Sequence, residues 1–391
     1  MEPAPAATTP APVNPLHALH TTAEAEFQPY GDWVEIVSTF GEPQAEYSAI
    51  RKGAALMDLP QRGLLEFTGR DRLAFLNNLL TNQTFDKQTK TGLAPGSGIY
   101  AFFLNAKGRI VTDMNVLESP AGDRTWLDMD GRMVEPLRKA FDKYLFTEQV
   151  KMTNLAGTKQ TLALIGPGAF DLLNQSAQPA VMLTAPLSVG LTSLLGIDVA
   201  LFRDDVCGVP GFHLIVSTEQ VALLWTRLLE RFGQFDEQTR KRGLRPVGWA
   251  AFNTTRIEAG RPLFGIDFDD SVLPAELGPV TFSRAVNVTK GCYLGQEIVA
   301  RMYARQQLSR QLVGLKFGNN ALPLAGAHLY DDAQNQVGGI TSSTVSPVLS
   351  NAPIGLGYVK KLFIPLGSTL KAPAEGALHP ATVSPLPFVT P

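Results

Sequence analysis

Helical spacing stops near residue 305, and that change of texture constrains the chain more than any other feature. Before it, from residue 29, runs of period-two apolar alternation interleave with runs whose apolar residues recur every three to four positions, the marks of strands and helices respectively. Beyond it only short β-rich segments remain, at Leu312 to Phe317, Ala327 to Tyr330, Val337 to Thr341, Gly355 to Val359 and Thr369 to Lys371, punctuated by Gly, Pro, Asn and Ser. Such punctuation predicts a small antiparallel barrel or sandwich as a separate C-terminal domain. The expected class is α+β: a mixed sheet-and-helix region over 29–304, divisible near 150–160, then a β-barrel over 305–391.

Within the first region, Gly63 to Thr68 reads as a strand followed by a helix that carries Leu73, Leu76, Leu79 and Leu80. Ile99 to Leu104 and Arg109 to Leu117 are strand-like runs joined by Asn105-Ala106-Lys107-Gly108, a connection that suits a hairpin. Trp126 to Met129 adds a third strand, and Val134, Leu137, Phe141 and Leu145 return to helical spacing. The clearest helix is Glu219 to Phe232, and another covers Gly248 to Ala259, stopped by Gly260 and Pro262. Along the second hairpin strand, Asp113 shares a face with Val111, Asn115 and Leu117, while Ile110, Met114 and Val116 point the other way. If the second set packs a core, Asp113 can line a cavity; otherwise it is an exposed strand carboxylate.

The 391 residues are 45% hydrophobic and 18% charged, enough for two or three domains with a buried core. A net charge of -2 provides no chain-wide positive field, so direct nucleic-acid binding is not expected. Cys207 and Cys292 sit in no CxxC, which points to reduced thiols in a cytoplasmic protein rather than a disulfide framework or zinc ribbon. No apolar run reaches the roughly 18 residues of a membrane-spanning helix, so no membrane partner is expected. The opening MEPAPAATTPAPVNP has no basic stretch followed by an apolar one, and residues 1–28 read as a Pro/Ala-rich disordered tail. A monomer is expected.

The densest chemical signal is Lys290-Gly291-Cys292-Tyr293-Leu294-Gly295-Gln296-Glu297. Two glycines flank a thiol and allow close approach to the main chain, and a lysine charge beside a cysteine favours its reactive thiolate. A buried structural cysteine is the competing reading.

That string resembles the K-G-C-[FY]-x-G-Q-E signature of the YgfZ family, folate-binding proteins related to the glycine-cleavage T-protein. GLLEFTGRDRLAFLNNLLT at 63–81, IYAFFLNAKGRIVTDMNVL at 99–117, RIEAGRPLFGID at 256–267 and the GLGYV element near 355–359 are similar to the family's other shared blocks, so the resemblance spans about residues 45–372. It implies an aminomethyltransferase-like fold that binds tetrahydrofolate or a derivative. Asp113 falls on the family's acidic position beside the folate nitrogens and, with Cys292, is the catalytic candidate. Tyr100, Leu104, Asn115, Arg256, Lys290, Gly291, Tyr293, Glu297 and Arg301 are the implied folate-binding residues. Arg256 can equally form a structural ion pair. Arg301, Arg305 and Arg310 can form a positive patch for the glutamate tail, or plain solvated charge.

Departures from the T-protein pattern bear on the branch. Its R-x-G-Y-T-G-E-x-G-F stretch corresponds to Arg203 through Phe212, with Val206 and Val209 in place of the tyrosine and glutamate, and Phe252 replaces an arginine. Folate binding without ordinary aminomethyl transfer is therefore expected, and the resemblance to the YgfZ family implies an accessory protein for iron-sulfur cluster assembly or repair and tRNA-modifying enzymes. A lone Cys292 cannot hold a cluster, which usually takes about four ligands, so cluster partners would be iron-sulfur proteins. The alternatives are a folate-dependent aminomethyltransferase and a thiol redox protein that uses Cys292.

Overall fold

The computed structural model describes residues 13–236, 241–305 and 308–390. Two antiparallel-rich sheets carry the first region. The five-stranded sheet runs Lys151–Asn154, Arg62–Thr68, Arg124–Asp130, Ile110–Glu118, Gly98–Leu104, every neighbour antiparallel. The seven-stranded sheet runs Ala177–Gln178, Val189–Leu194, Ile197–Arg203, Gly211–Ser217, Lys159–Ile165, Ala55–Asp58, Arg245–Pro246, with only its last pair parallel. The chain passes from one sheet to the other between Asn154 and Lys159; Ala55–Asp58 is the exception, an early strand inserted in the second sheet.

Each sheet buries an outer face under helices. The helices Arg72–Leu79 and Gly131–Asp142 cover the first through Phe75, Leu76, Val134, Leu137 and Phe141. The helices Ala169–Ser176 and Val221–Phe232 cover the second, the latter through Val221, Leu224, Trp225 and Leu228 at the expected spacing. The inner faces meet in a shared core of Leu64, Phe102, Leu104, Leu117, Phe202 and Ile215, joined by Leu312 and Leu356 of the third unit. That unit is a closed six-stranded antiparallel barrel: Arg310–Phe317, Ala352–Lys360, Gln336–Ser346, His328–Tyr330, Thr369–Ala374, Ala377–Ser384. Its last strand went unrecognised in the sequence because Pro380 interrupts its apolar pattern. The α+β class with a C-terminal barrel holds.

The segment expected as a tail is a correction. His17–Thr22 is a helix, and Glu26–Tyr30 pairs with Val34–Thr39. Leu16 and His20 are fully buried, and Asp58 accepts from Asn14 at 2.7 Å and sits 3.0 Å from His20 Nε2. A buried carboxylate with these partners fixes the segment, which a compositional reading cannot foresee. Residues 1–12 lie outside the described residues.

The RIEAG block ties the units together. Helix Trp249–Glu258 is buried on most sides. From it Arg256 pairs with Asp267 and donates to Ser342 of the barrel at 2.6 Å, while Glu258 accepts from Tyr47 and Arg51 at 2.9 Å and from barrel Ser346. Two residues apart on a helix, the two side chains leave in different directions, yet both end in buried partners of the barrel strand Gln336–Ser346. Among the described residues no helix is long and apolar enough to cross a membrane.

Candidate functional site

The hairpin brings Asp113 to the inner face of the first sheet. Phe102 pairs with Asp113 and Tyr100 with Asn115, but register slips between Phe103 and Leu104, so Val111 is extruded and Ile110 pairs with Leu104. The bulge reverses the expected alternation at that end: Ile110 joins Phe102 and Leu117 in the shared core, whereas Val111 packs outward with Met114 and Val116. Asp113 keeps its inward direction.

There it lines a cavity of about 90 Å³ between the two sheets, open to solvent at its mouth. The first sheet supplies Arg62, Tyr100, Asp113 and Asn115, and the second supplies Asp204 and His213. Trp249 and Phe252 come from the linking helix, and Arg261 to Phe264 with Arg284 close the remaining side.

Polar groups in this cavity are only half satisfied. Tyr100 donates to Asp113 Oδ2 at 2.7 Å, and Asp113 Oδ1 is buried without a partner. Asn115 donates to Asp128 at 3.1 Å, and its Oδ1 is likewise buried and unpartnered, as is Nδ1 of His213. Native structures leave few such atoms, and three around one cavity point to hydrogen bonds made by a ligand. Burial pushes the Asp113 carboxyl above its ordinary range against the pull of Arg62 and the Tyr100 bond. Burial lowers His213, so it is a neutral imidazole with one donor and one acceptor. Burial would raise Asp204, but Arg284 and the other cations around it hold it below the usual range.

The residues expected from sequence divide sharply. Tyr100, Asp113 and Asn115 come together in the cavity wall. Leu104 and Tyr293 belong to the shared core, and Arg256 is the fully buried ion-pair residue described above. Lys290 is turned inward, its Nζ donating to the carbonyls of Asn77 at 2.6 Å, Asn82 at 3.1 Å and Leu80, at the end of helix Arg72–Leu79. Glu297 and Arg301 pair with each other on the surface at 2.9 Å, and Arg310 pairs with Glu276, so no patch forms around them; the Arg305 side chain lies outside the described residues. Gly291 and Cys292 lie on an exposed loop and are not cavity-lining. That loop docks on the hairpin turn: a Cβ on Gly295, at φ +80°, would stand 2.7 Å from the Asn105 carbonyl oxygen. Asp113 and Cys292, the two catalytic candidates, therefore do not share a cavity. Val206 and Phe252 do line the cavity, whereas Val209 packs in a neighbouring core.

Arg62, Asp204, His213, Arg261 and Arg284 escaped the sequence reading. Asp204 lies in the 203–212 stretch and Arg261 in the RIEAGRPLFGID block, but nothing local marks either as a cavity residue, and the five meet only in the folded chain.

Two sheets with a polar cavity between their inner faces, and a barrel locked to them, make an α+β architecture. Residues 16–290 match the GCVT N-terminal domain and residues 310–390 the glycine cleavage T-protein C-terminal barrel domain, and the chain belongs to that family. It is 27% identical over 380 residues to the aminomethyltransferase of Nostoc sp., covering 96% of this chain and 94% of that one. Against the aminomethyltransferase of Thermosynechococcus vestitus it is 28% identical over 375 residues, with 96% and 94% covered. Its fold matches that of the glycine cleavage system aminomethyltransferase T from Bartonella henselae with a TM-score of 0.82 at 24% identity, over 96% and 97% of the two chains.

Proposed function

We propose that the chain is a tetrahydrofolate-dependent protein of aminomethyltransferase type, holding the folate ring in the cavity against Asp113. The observation that carries this reading is the buried, unpartnered Oδ1 of Asp113, oriented by Tyr100 and set among other unpaired acceptors. A reduced pterin edge is rich in N–H donors, which those acceptors match. Burial raises the Asp113 pKa, which makes the carboxylate a better proton acceptor toward a folate nitrogen, the role that one-carbon transfer there requires. The aminomethyltransferase names of relatives that span nearly the whole chain support the class. The test is calorimetric titration with tetrahydrofolate, followed by turnover with an aminomethylated lipoyl carrier. Absence of binding would overturn the reading.

A second reading is favoured by Val206 and Phe252, apolar residues in the wall, and by the exposed Cys292 on its docked loop. In it the chain binds folate without aminomethyl transfer, as a cytoplasmic accessory of YgfZ type for iron-sulfur proteins and tRNA-modifying enzymes. Folate binding without turnover, with loss of cluster-enzyme activity in cells lacking the protein, would select it. Full rescue of such cells by Cys292→Ala would remove the thiol from that role.

A further inference from the structure

Three guanidinium groups line the cavity, and two are accounted for. Arg62 grips Asp128 through two hydrogen bonds at 2.6 and 3.2 Å. Arg284 lies 4.4 Å above the Tyr100 ring and reaches Asp204 at 3.3 Å. The Arg261 guanidinium has no hydrogen bond or ion pair with any described residue, although its backbone is pinned at both ends: its N–H donates to the Arg256 carbonyl at 2.9 Å, and its own carbonyl accepts from Arg256 Nη1 at 3.2 Å. Gly260, at φ +65°, turns the chain off the helix end so that Arg261 faces the cavity.

A half-buried guanidinium without a partner, beside a second one, is costly to keep. The nearby acids do not relieve it. Asp204 is shared with Arg284, Asp205 is held by Arg203 through contacts of 2.8 and 3.0 Å, and Asp113 is engaged by Tyr100. Burial first, and then the charge of Arg284, pull Arg261 below its ordinary value, although a guanidinium remains protonated at any physiological pH. Its planar fork matches a carboxylate, and Arg284, close enough for its charge to act on Arg261, adds a second cation to the same wall.

We propose that Arg261, assisted by Arg284, forms a carboxylate-binding subsite of this cavity, so that the ligand taken against Asp113 is met at a second point through an acidic group. The occupant is either the glutamyl tail of the folate itself or a separate small carboxylate bound beside it; only the first of these rests on the folate reading.

The test is calorimetric titration of the full chain and of Arg261→Gln and Arg261→Lys with three probes: tetrahydrofolate, 6-methyltetrahydropterin, which has no acidic tail, and glutarate. If the tail is the occupant, Arg261→Gln weakens tetrahydrofolate by about ten- to a hundredfold, the scale of a lost charged hydrogen bond, and leaves the tailless pterin unchanged. Arg261→Lys recovers part of the loss. If a separate carboxylate is the occupant, glutarate shows the Arg261 dependence and tetrahydrofolate does not. Glutarate binding through Arg261 without any tetrahydrofolate binding removes the folate reading and keeps the subsite. Affinities for tetrahydrofolate and glutarate that are both indifferent to Arg261, or absent, overturn the subsite. Thermal melting provides an independent check: loss of an unpaired buried cation raises the midpoint of Arg261→Gln, and a lowered midpoint shows the side chain to be structural.

Discussion

Tyr100 and Asp113 are diagonal neighbours on paired strands, and the 2.7 Å bond from the phenol to Oδ2 fixes the carboxyl so that Oδ1 is left free. Burial keeps that carboxyl protonated at a higher pH than in the unfolded chain. A raised carboxyl contributes stability in acid that is lost as pH rises from the ordinary carboxylate range through its raised value, so at neutral pH the ionised form opposes folding. Asp113→Asn, which keeps an acceptor for Tyr100, is therefore expected to raise stability at pH 7 by about 1 kcal/mol. The same change is expected to weaken tetrahydrofolate about tenfold or more. Urea unfolding and calorimetry on one preparation check both signs together.

What the sequence revealed follows from where each signal resides. The hairpin, the long helix Val221–Phe232 and the barrel were legible because period and turn chemistry are local. Asp113, Tyr100 and Asn115 were named through the family resemblance, and one strand pair brings them together. The bulge at Val111 was not, since Leu104 and Ile110 carry no glycine or proline to announce it. Arg256 misled because a buried ion pair and a ligand-binding arginine look alike until Asp267 and Ser342 are seen beside it. His213 and Arg261 could be found only from the closure of two sheets far apart in the chain.

Arg256→Ala is expected to act chiefly on stability. It leaves Asp267 buried without its cation and removes the donor to Ser342 of the barrel. Breaking one side of such a pair costs about 3–5 kcal/mol. Urea denaturation should show that loss, and because Arg256 Nη1 also holds the Arg261 carbonyl, any folded fraction should bind tetrahydrofolate more weakly than the parent protein.

Lys290 anchors the thiol loop from below. Burial, and then the charge of Lys87, pull its amine down to about 7. The three carbonyls act the other way, because an ammonium donates to all of them and a neutral amine to two. Lys290→Met leaves those carbonyls unpaired at the end of helix Arg72–Leu79, a loss of about 2–4 kcal/mol for hydrogen bonds to a charged donor. Hydrogen exchange at residues 287–295 should accelerate in the variant, while the hairpin strands Gly98–Leu104 and Ile110–Glu118 stay protected.

The two cysteines should separate cleanly by reactivity. Cys207 is fully buried, close to the Thr255 hydroxyl, and burial pushes its thiol up to about 12, so it is neutral and shielded wherever the protein is folded. Cys292 is exposed on its loop, where only the thiolate fraction limits reaction. Iodoacetamide near pH 8 is expected to add one carbamidomethyl group to the native chain, at Cys292, and two after denaturation. A native Cys207 adduct seen by peptide mass spectrometry would mean that the core around Ala251 and Phe252 opens readily. Because Phe252 also lines the cavity, such opening would carry the ligand site with it, and tetrahydrofolate should then protect Cys207.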